Sequence, residues 1–257
     1  MIDALHAEWT KLRTVASSAW ILVTLAALTV AAGSLAADVV KCPASCSADP
    51  TKVSLTGVIL GQAAAAGLAV MVMAGEYSTG LVRTTLTATP RRGVVLAAKA
   101  AVLSACIGGA GLAGVLGSVL AGRLLLPGNG YTTAHGFAAV SLLHGPTLRA
   151  AAGSVLYLIL IGLLSLGLGA ALRSATVTTA AALGLLYVLS FLGDIGLNAA
   201  WQRRIERWTP MDAGLAVQAT THLARQPIAP WPGLGVCGLW AAAALAGGWL
   251  VLRLRDA

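Results

Sequence analysis

The sequence predicts an all-α integral membrane protein of six transmembrane helices, with an interfacial helix at the N-terminus and short amphipathic helices before the last span. Three observations carry this. Of 257 residues, 58% are hydrophobic and 10% charged, with a mean hydropathy of +0.83, where an average soluble domain carries roughly 25% charged residues. Six apolar runs have the length needed to cross a hydrocarbon layer about 30 Å thick. The Lys and Arg residues stand at the ends of those runs and form no solvated stripe, so the net charge of +8 reads as anchoring among lipid headgroups and speaks against a nucleic-acid partner. Arg in excess of Lys, with abundant Ala and Gly, accords with a GC-rich bacterial genome.

Residues 1–14 are charged yet periodic. Ile2, Leu5, Trp9 and Leu12 fall at steps of three, four and three on one helical face, opposite Asp3, Lys11 and Arg13. Such a helix belongs in the headgroup layer. The uncharged run 15–37 ends in Ser-Leu-Ala, which imitates a signal-peptidase site, but it is longer than the roughly 7–15 residues of a signal-peptide core. It is expected to remain as the first span.

Residues 38–52 form a polar loop containing Cys42 and Cys46, a pair compatible with a disulfide where the loop faces an oxidising compartment; spacing alone leaves this open. Cys106 and Cys237 lie in apolar runs, where cysteine packs as a small hydrophobe, and no cysteine spacing is that of a zinc site. The second span, 53–74, holds one amide, Gln62, expected to bond to a neighbouring helix, with a substrate contact as the alternative. In the third span, 93–122, Cys106, Ala110, Gly114, Ser118 and Gly122 recur every four residues, a stripe that lets another helix approach closely.

Within 123–149, Pro127-Gly-Asn-Gly marks a turn, and 137–143 is apolar but too short to span, so this part is expected to dip into the interface. Spans four and five, 150–172 and 177–193, are joined by Arg173-Ser-Ala-Thr and must form a hairpin. In the polar segment 194–230, Leu197, Trp201, Ile205 and Trp208 share one helical face and Arg203, Arg204 and Arg207 another, the pattern of an interfacial helix with aromatic anchors. Thr209-Pro-Met-Asp212 reads as a second helix start with Thr209 as N-cap. The sixth span, 231–252, has Trp231 and Trp249 near its ends, and Arg253 and Arg255 anchor the tail. The chain is one transmembrane domain, 1–257.

Six spans place both termini on one face. Nine basic residues fall on that face and eight on the other, so the positive-inside rule leaves the orientation open. The chain has no P-loop, no His-Glu-x-x-His and no Gly-x-Ser-x-Gly. Its four histidines are scattered over interfacial segments, and no intramembrane acid pair suggests a proton relay. No catalytic residue, metal or cofactor is expected on the chain itself.

Between the second and third spans, residues 75–92 turn polar within a few positions. Glu76-Tyr77, Gly80, Arg83-Thr84-Thr85-Leu86, Pro90-Arg91-Arg92 and then Lys99 resemble the permease subunits of ABC-2-type exporters, bacterial ATP-binding-cassette transporters whose membrane and ATPase parts are separate chains. Glu8-Trp9-Thr10-Lys11-Leu12-Arg13, the Leu172-Arg173-Ser174 turn and the helical insertion before the last span extend the resemblance over the six-span layout. It implies a bacterial plasma-membrane subunit with cytoplasmic termini and a connecting helix carrying Glu8, Trp9, Lys11 and Arg13. It also implies a cytoplasmic coupling loop, 75–92, in which Glu76, Tyr77, Gly80, Arg83, Thr84, Leu86, Pro90 and Arg91 meet a groove of a cytosolic ATPase that binds ATP and Mg.

A dimer of permeases, identical or different, follows from the same resemblance, as does external placement of Cys42, Cys46 and 194–230, with Trp201, Ile205 and Trp208 at the outer surface. Glu76, where the second span meets water, is expected to pair with a nearby cation such as Arg83. The spans name no substrate. Two other readings stand beside this one: a six-span membrane enzyme of intramembrane-protease or lipid-modifying type, and a non-transporting assembly protein. The enzyme would need polar residues converging at one depth, where the sequence offers Gln62, Lys99 and scattered Ser and Thr.

Overall fold

The computed structural model describes residues 2–42, 48–78, 92–132, 137, 140–194 and 198–254. Six helical stretches are long and apolar enough to cross a membrane: Ala16–Val39, Val58–Tyr77, Arg92–Asn129, Gly145–Leu172, Ala175–Gly193 and Pro230–Leu254. The protein is a multi-span α-helical membrane protein.

Helix α1 (Ile2–Thr14) precedes α2 (Ala16–Val39), the first span. The short α3 (Pro50–Ser54) starts where Asp49 accepts from the Thr51 and Lys52 amides at 3.0 and 3.3 Å, with Pro50 in the first turn. Helix α4 (Val58–Ser78) is the second span, and Glu76 and Tyr77 belong to its last turn. The third span, α5 (Arg92–Leu125), has 34 residues, roughly 50 Å at about 1.5 Å per residue, more than the hydrocarbon layer needs. It runs into a 3-10 turn, Leu126–Asn129, that closes on Gly130 at φ 94°.

Helix α6 (Gly145–Leu172) ends at Arg173, whose left-handed backbone (φ 57°) turns the chain directly into α7 (Ala175–Leu183). A π-helical segment, Gly184–Val188, links α7 to α8 (Leu189–Asp194) within the fifth span. On the far side, α9 (Ala199–Trp208) is capped by the Asn198 side chain, which accepts from Trp201 N–H at 3.0 Å. In α10 (Pro210–Leu215) the Thr209 hydroxyl donates to Asp212 Oδ2 at 2.7 Å and accepts no backbone N–H, so Thr209 stands at the N-cap position without capping the helix through its side chain. The last span is α11 (Pro230–Leu254).

Helix α6 is the centre of the bundle, packed on α11, α4 and α5, while α2 lies against α5 and α4. Tyr157, Leu158, Ile161, Leu164 and Leu166 of α6 are fully buried. With lipid outside, such packing depends on close backbone approach more than on water expulsion. A Cβ on Gly57 would lie 1.9 Å from Thr29 O, and one on Gly167 would lie 2.3 Å from Ala244 C. The small-residue stripe of α5 is used in its second half: Gly114 faces Thr29 and Ala26, Ser118 donates to Thr29 O at 3.0 Å, and Gly122 faces Ser54. Cys106 and Ala110 are only half-buried.

Candidate functional site: an ionic ring at the terminal face

Four charged side chains from three helices converge at the end of the bundle that carries the termini. The Lys99 ammonium, on α5, lies 2.7 Å from Glu8 Oε2 and 2.7 Å from Glu76 Oε1, and 3.4 Å from Val72 O. Lys11 lies 2.8 Å from Glu8 Oε1 and 2.9 Å from Glu76 Oε1. Two cations and two carboxylates thus alternate in a closed, neutral ring. Side-chain exposures of 1% for Lys99, 5% for Glu8 and 11% for Glu76 set it apart from a surface ion pair; Lys11, at 39%, is its wet edge.

The depth follows from α5. Lys99 and Arg123 are the charged residues bounding its apolar middle, roughly 36 Å apart along the helix at about 1.5 Å per residue, so both fall at the edges of a hydrocarbon layer about 30 Å thick. A charge there survives by pairing. Lys11 lies outside the spans, and its ammonium is held above its ordinary pKa of 10.5: partial burial works against the charge, and the hydrogen bonds and charges of Glu76 and Glu8 outweigh it.

The ring corrects the reading of α1. Periodicity put Lys11 opposite the apolar face, but the inward face is the buried Glu8 with the half-buried Leu5, Lys11 and Leu12, while Ile2 and Trp9 are 71% and 48% exposed. Steps of three and four join Leu5, Glu8 and Leu12 as well as they join the apolar residues, and Glu8 turns inward to the buried ammonium of Lys99. Arg13 is exposed. Glu76 likewise finds Lys99 and Lys11 as cations, where the chain-neighbour Arg83 was expected; Arg83 lies outside the described residues. Polar groups therefore do converge at one depth, which the sequence did not disclose.

Arginines extend this face to the last helix. Arg173 stacks its guanidinium over the Tyr77 ring, 5.5 Å from the centroid, and donates to Val251 O at 3.3 Å. Arg92 donates to Leu252 O. Two cations thus meet the carbonyl end of α11, where the helix dipole favours them.

Of the remaining expected site residues, Gly80, Thr84, Leu86, Pro90, Arg91 and Cys46 lie outside the described residues. Cys42 is disulfide-bonded and buried, and its N–H donates to Asn129 O at 2.8 Å. Trp201 and Trp208 are 54% and 63% exposed, and Ile205 is half-buried against Gly193. Arg204 sits 5.6 Å from the Trp201 ring centroid, so this arginine stays with the aromatic residue it was expected to face away from. Trp240 donates to Trp208 O at 2.8 Å, tying α9 to the last span.

Sequence reasoning missed Tyr157. Its hydroxyl donates to Gln62 Oε1, and Gln62 Nε2 lies 3.3 Å from Met211 Sδ, so the lone amide does bond to neighbouring elements. One hydroxyl in the apolar run of α6 gave no signal of this. Among the described residues no group of three or more His, Cys, Asp and Glu could hold a metal ion. No protein-family model matches the chain, and no curated protein matches it at a significant level.

Proposed function

We propose that the chain is the membrane-spanning permease subunit of an ABC exporter of the ABC-2 type, in a bacterial plasma membrane with both termini cytoplasmic. ATP and Mg belong to a separate cytosolic ATPase, and two permeases, identical or different, form the path. The observation that supports this reading is the ionic ring. Glu76 and Lys99 are charged residues on the two helices that flank residues 79–91, and they meet each other and the N-terminal helix.

Helix α4 packs chiefly on α6 and α2, and α5 chiefly on α2 and α6, so the two spans flanking the loop touch each other little. The ring joins them at the point where a partner's push on the loop arrives. A displacement of the loop is then inherited by both spans and by α1, and Arg92 and Arg173 hand it to α11. The ring's four charges are engaged with one another, an arrangement suited to mechanical linkage more than to acid–base chemistry.

Co-expression with a cytosolic ATP-binding-cassette ATPase tests the proposal, read as copurification and as ATP hydrolysis in liposomes. Leu86→Asp should abolish copurification, because docking would desolvate the new charge. Glu76→Gln should keep the complex and lose coupling. Absence of any copurifying ATPase, with Leu86→Asp behaving as the parent, would remove the permease reading.

A further inference from the structure

On the face opposite the ring, α3 and the first turn of α4 form one wall of a cavity of about 390 Å³; α9, α10 and the segment leading to α11 form the other. Its volume falls within the roughly 300–1,000 Å³ of small-molecule sites. The lining is chemically divided: Lys52, Glu206, Asp212 and Gln218 supply charges and an amide, and Ile59 and Met211 supply an apolar side. A second depression of about 460 Å³ adjoins it and shares Lys52.

Three details distinguish this cavity from a surface dent. Among the described residues, Lys52 and Glu206 take part in no ion pair, so charges of both signs stand ready for a ligand. Gln218 is 1% exposed and gives its Nε2 to Leu55 O at 3.4 Å and Ser154 Oγ at 3.1 Å. Its Oε1 accepts from no described donor. The walls are also pre-formed: Asp49 accepts from Thr220 Oγ1 at 2.7 Å and Thr221 N–H at 2.9 Å, and Arg207 donates to Pro227 O at 2.7 Å.

We infer that this cavity binds a zwitterionic amphiphile. Its ammonium is received by Glu206, Asp212 and Gln218 Oε1, its acidic group by Lys52, and its apolar part lies on Ile59 and Met211. A ligand of one charge sign would leave the opposite charge of the lining without a partner in a partly desolvated space, and a fully polar ligand would waste the apolar side. Met211 also meets Gln62, the partner of Tyr157, so an occupant bears on the buried polar pair within the spans. As the outer mouth of a transport path the cavity rests on the permease reading; as a binding site it does not.

The full chain, purified in a neutral maltoside without any ATPase, is titrated calorimetrically with dihexanoyl phosphatidylethanolamine, dihexanoyl phosphatidylglycerol and free phosphoethanolamine. The phosphatidylethanolamine should bind saturably, and Glu206→Gln and Lys52→Gln should each weaken it about tenfold or more, the worth of one charge-assisted hydrogen bond. Neither side chain makes a described hydrogen bond, so the melting temperature of each variant should match the parent. Equal binding of phosphatidylglycerol, unmoved by Glu206→Gln, is general lipid contact and overturns the inference. Free phosphoethanolamine binding as tightly as the lipid overturns the amphiphile assignment in favour of a soluble zwitterion. With no ATPase present, failure here leaves the permease reading standing, and failure of copurification leaves this site standing.

Discussion

The Lys99 ammonium lies 2.7 Å from Glu76 Oε1, and 1% and 11% of the two side chains are exposed. The pair joins two helices that otherwise touch each other little. Lys99→Met removes the buried ammonium that Glu8 and Glu76 share, and it should cost about 3–5 kcal/mol, the usual penalty for breaking a buried ion pair. Thermal unfolding in detergent measures this. The double variant Glu8→Gln with Lys99→Met keeps the charges balanced and should lose clearly less. Equal losses would mean that the four residues do not act as a unit.

Tyr157 and Gln62 are both 0% exposed. Tyr157→Phe leaves Gln62 Oε1 without its donor and should destabilise by about 1–3 kcal/mol. Adding Gln62→Leu removes the stranded acceptor and should return part of the loss, read from the same unfolding curves. A further loss from the second substitution would show that Gln62 is held mainly by its contact with Met211.

Close approach at Gly167 makes a size prediction. Its added Cβ would meet Ala244 C at 2.3 Å and Leu245 N at 2.5 Å, both backbone atoms that cannot rotate aside. Gly167→Ala should therefore separate α6 from α11 and lower stability by about 1–3 kcal/mol. Gly235→Ala, on the same α11 with nothing within 4 Å, should be neutral or slightly stabilising through helix propensity. Paired melting curves distinguish the two.

The raised pKa of Lys11 gives a pH dependence of known sign. A lysine whose folded pKa lies above its unfolded 10.5 adds stability that is fully present below 10.5 and is lost as pH rises through the folded value. Docking of α1 should therefore persist through neutral and mildly alkaline pH and weaken only above 10.5. Hydrogen exchange of α1 amides across alkaline pH should show this transition, and Lys11→Gln should flatten it.

The apolar runs alone specify six spans, because hydrocarbon imposes a local demand on composition and length that no distant residue can waive. The same locality made the bonding of Gln62 legible: an amide without water must find a partner in a neighbouring element. Half of the small-residue stripe on α5 and the hairpin at Arg173 were also written into spacing. Periodicity, however, says which residues share a helical face and not which way that face points. Leu5, Glu8 and Leu12 form as good a stripe as the apolar set of α1, and the choice between them depended on Lys99, 91 positions from Glu8. Packing also brought Lys11 and Lys99, both on other helices, to Glu76. The cavity on the face opposite the ring is assembled from Lys52, Glu206, Asp212 and Gln218, residues of separate segments. Charge pairing and cavity shape depend on distance through space, and only the packed bundle sets those distances.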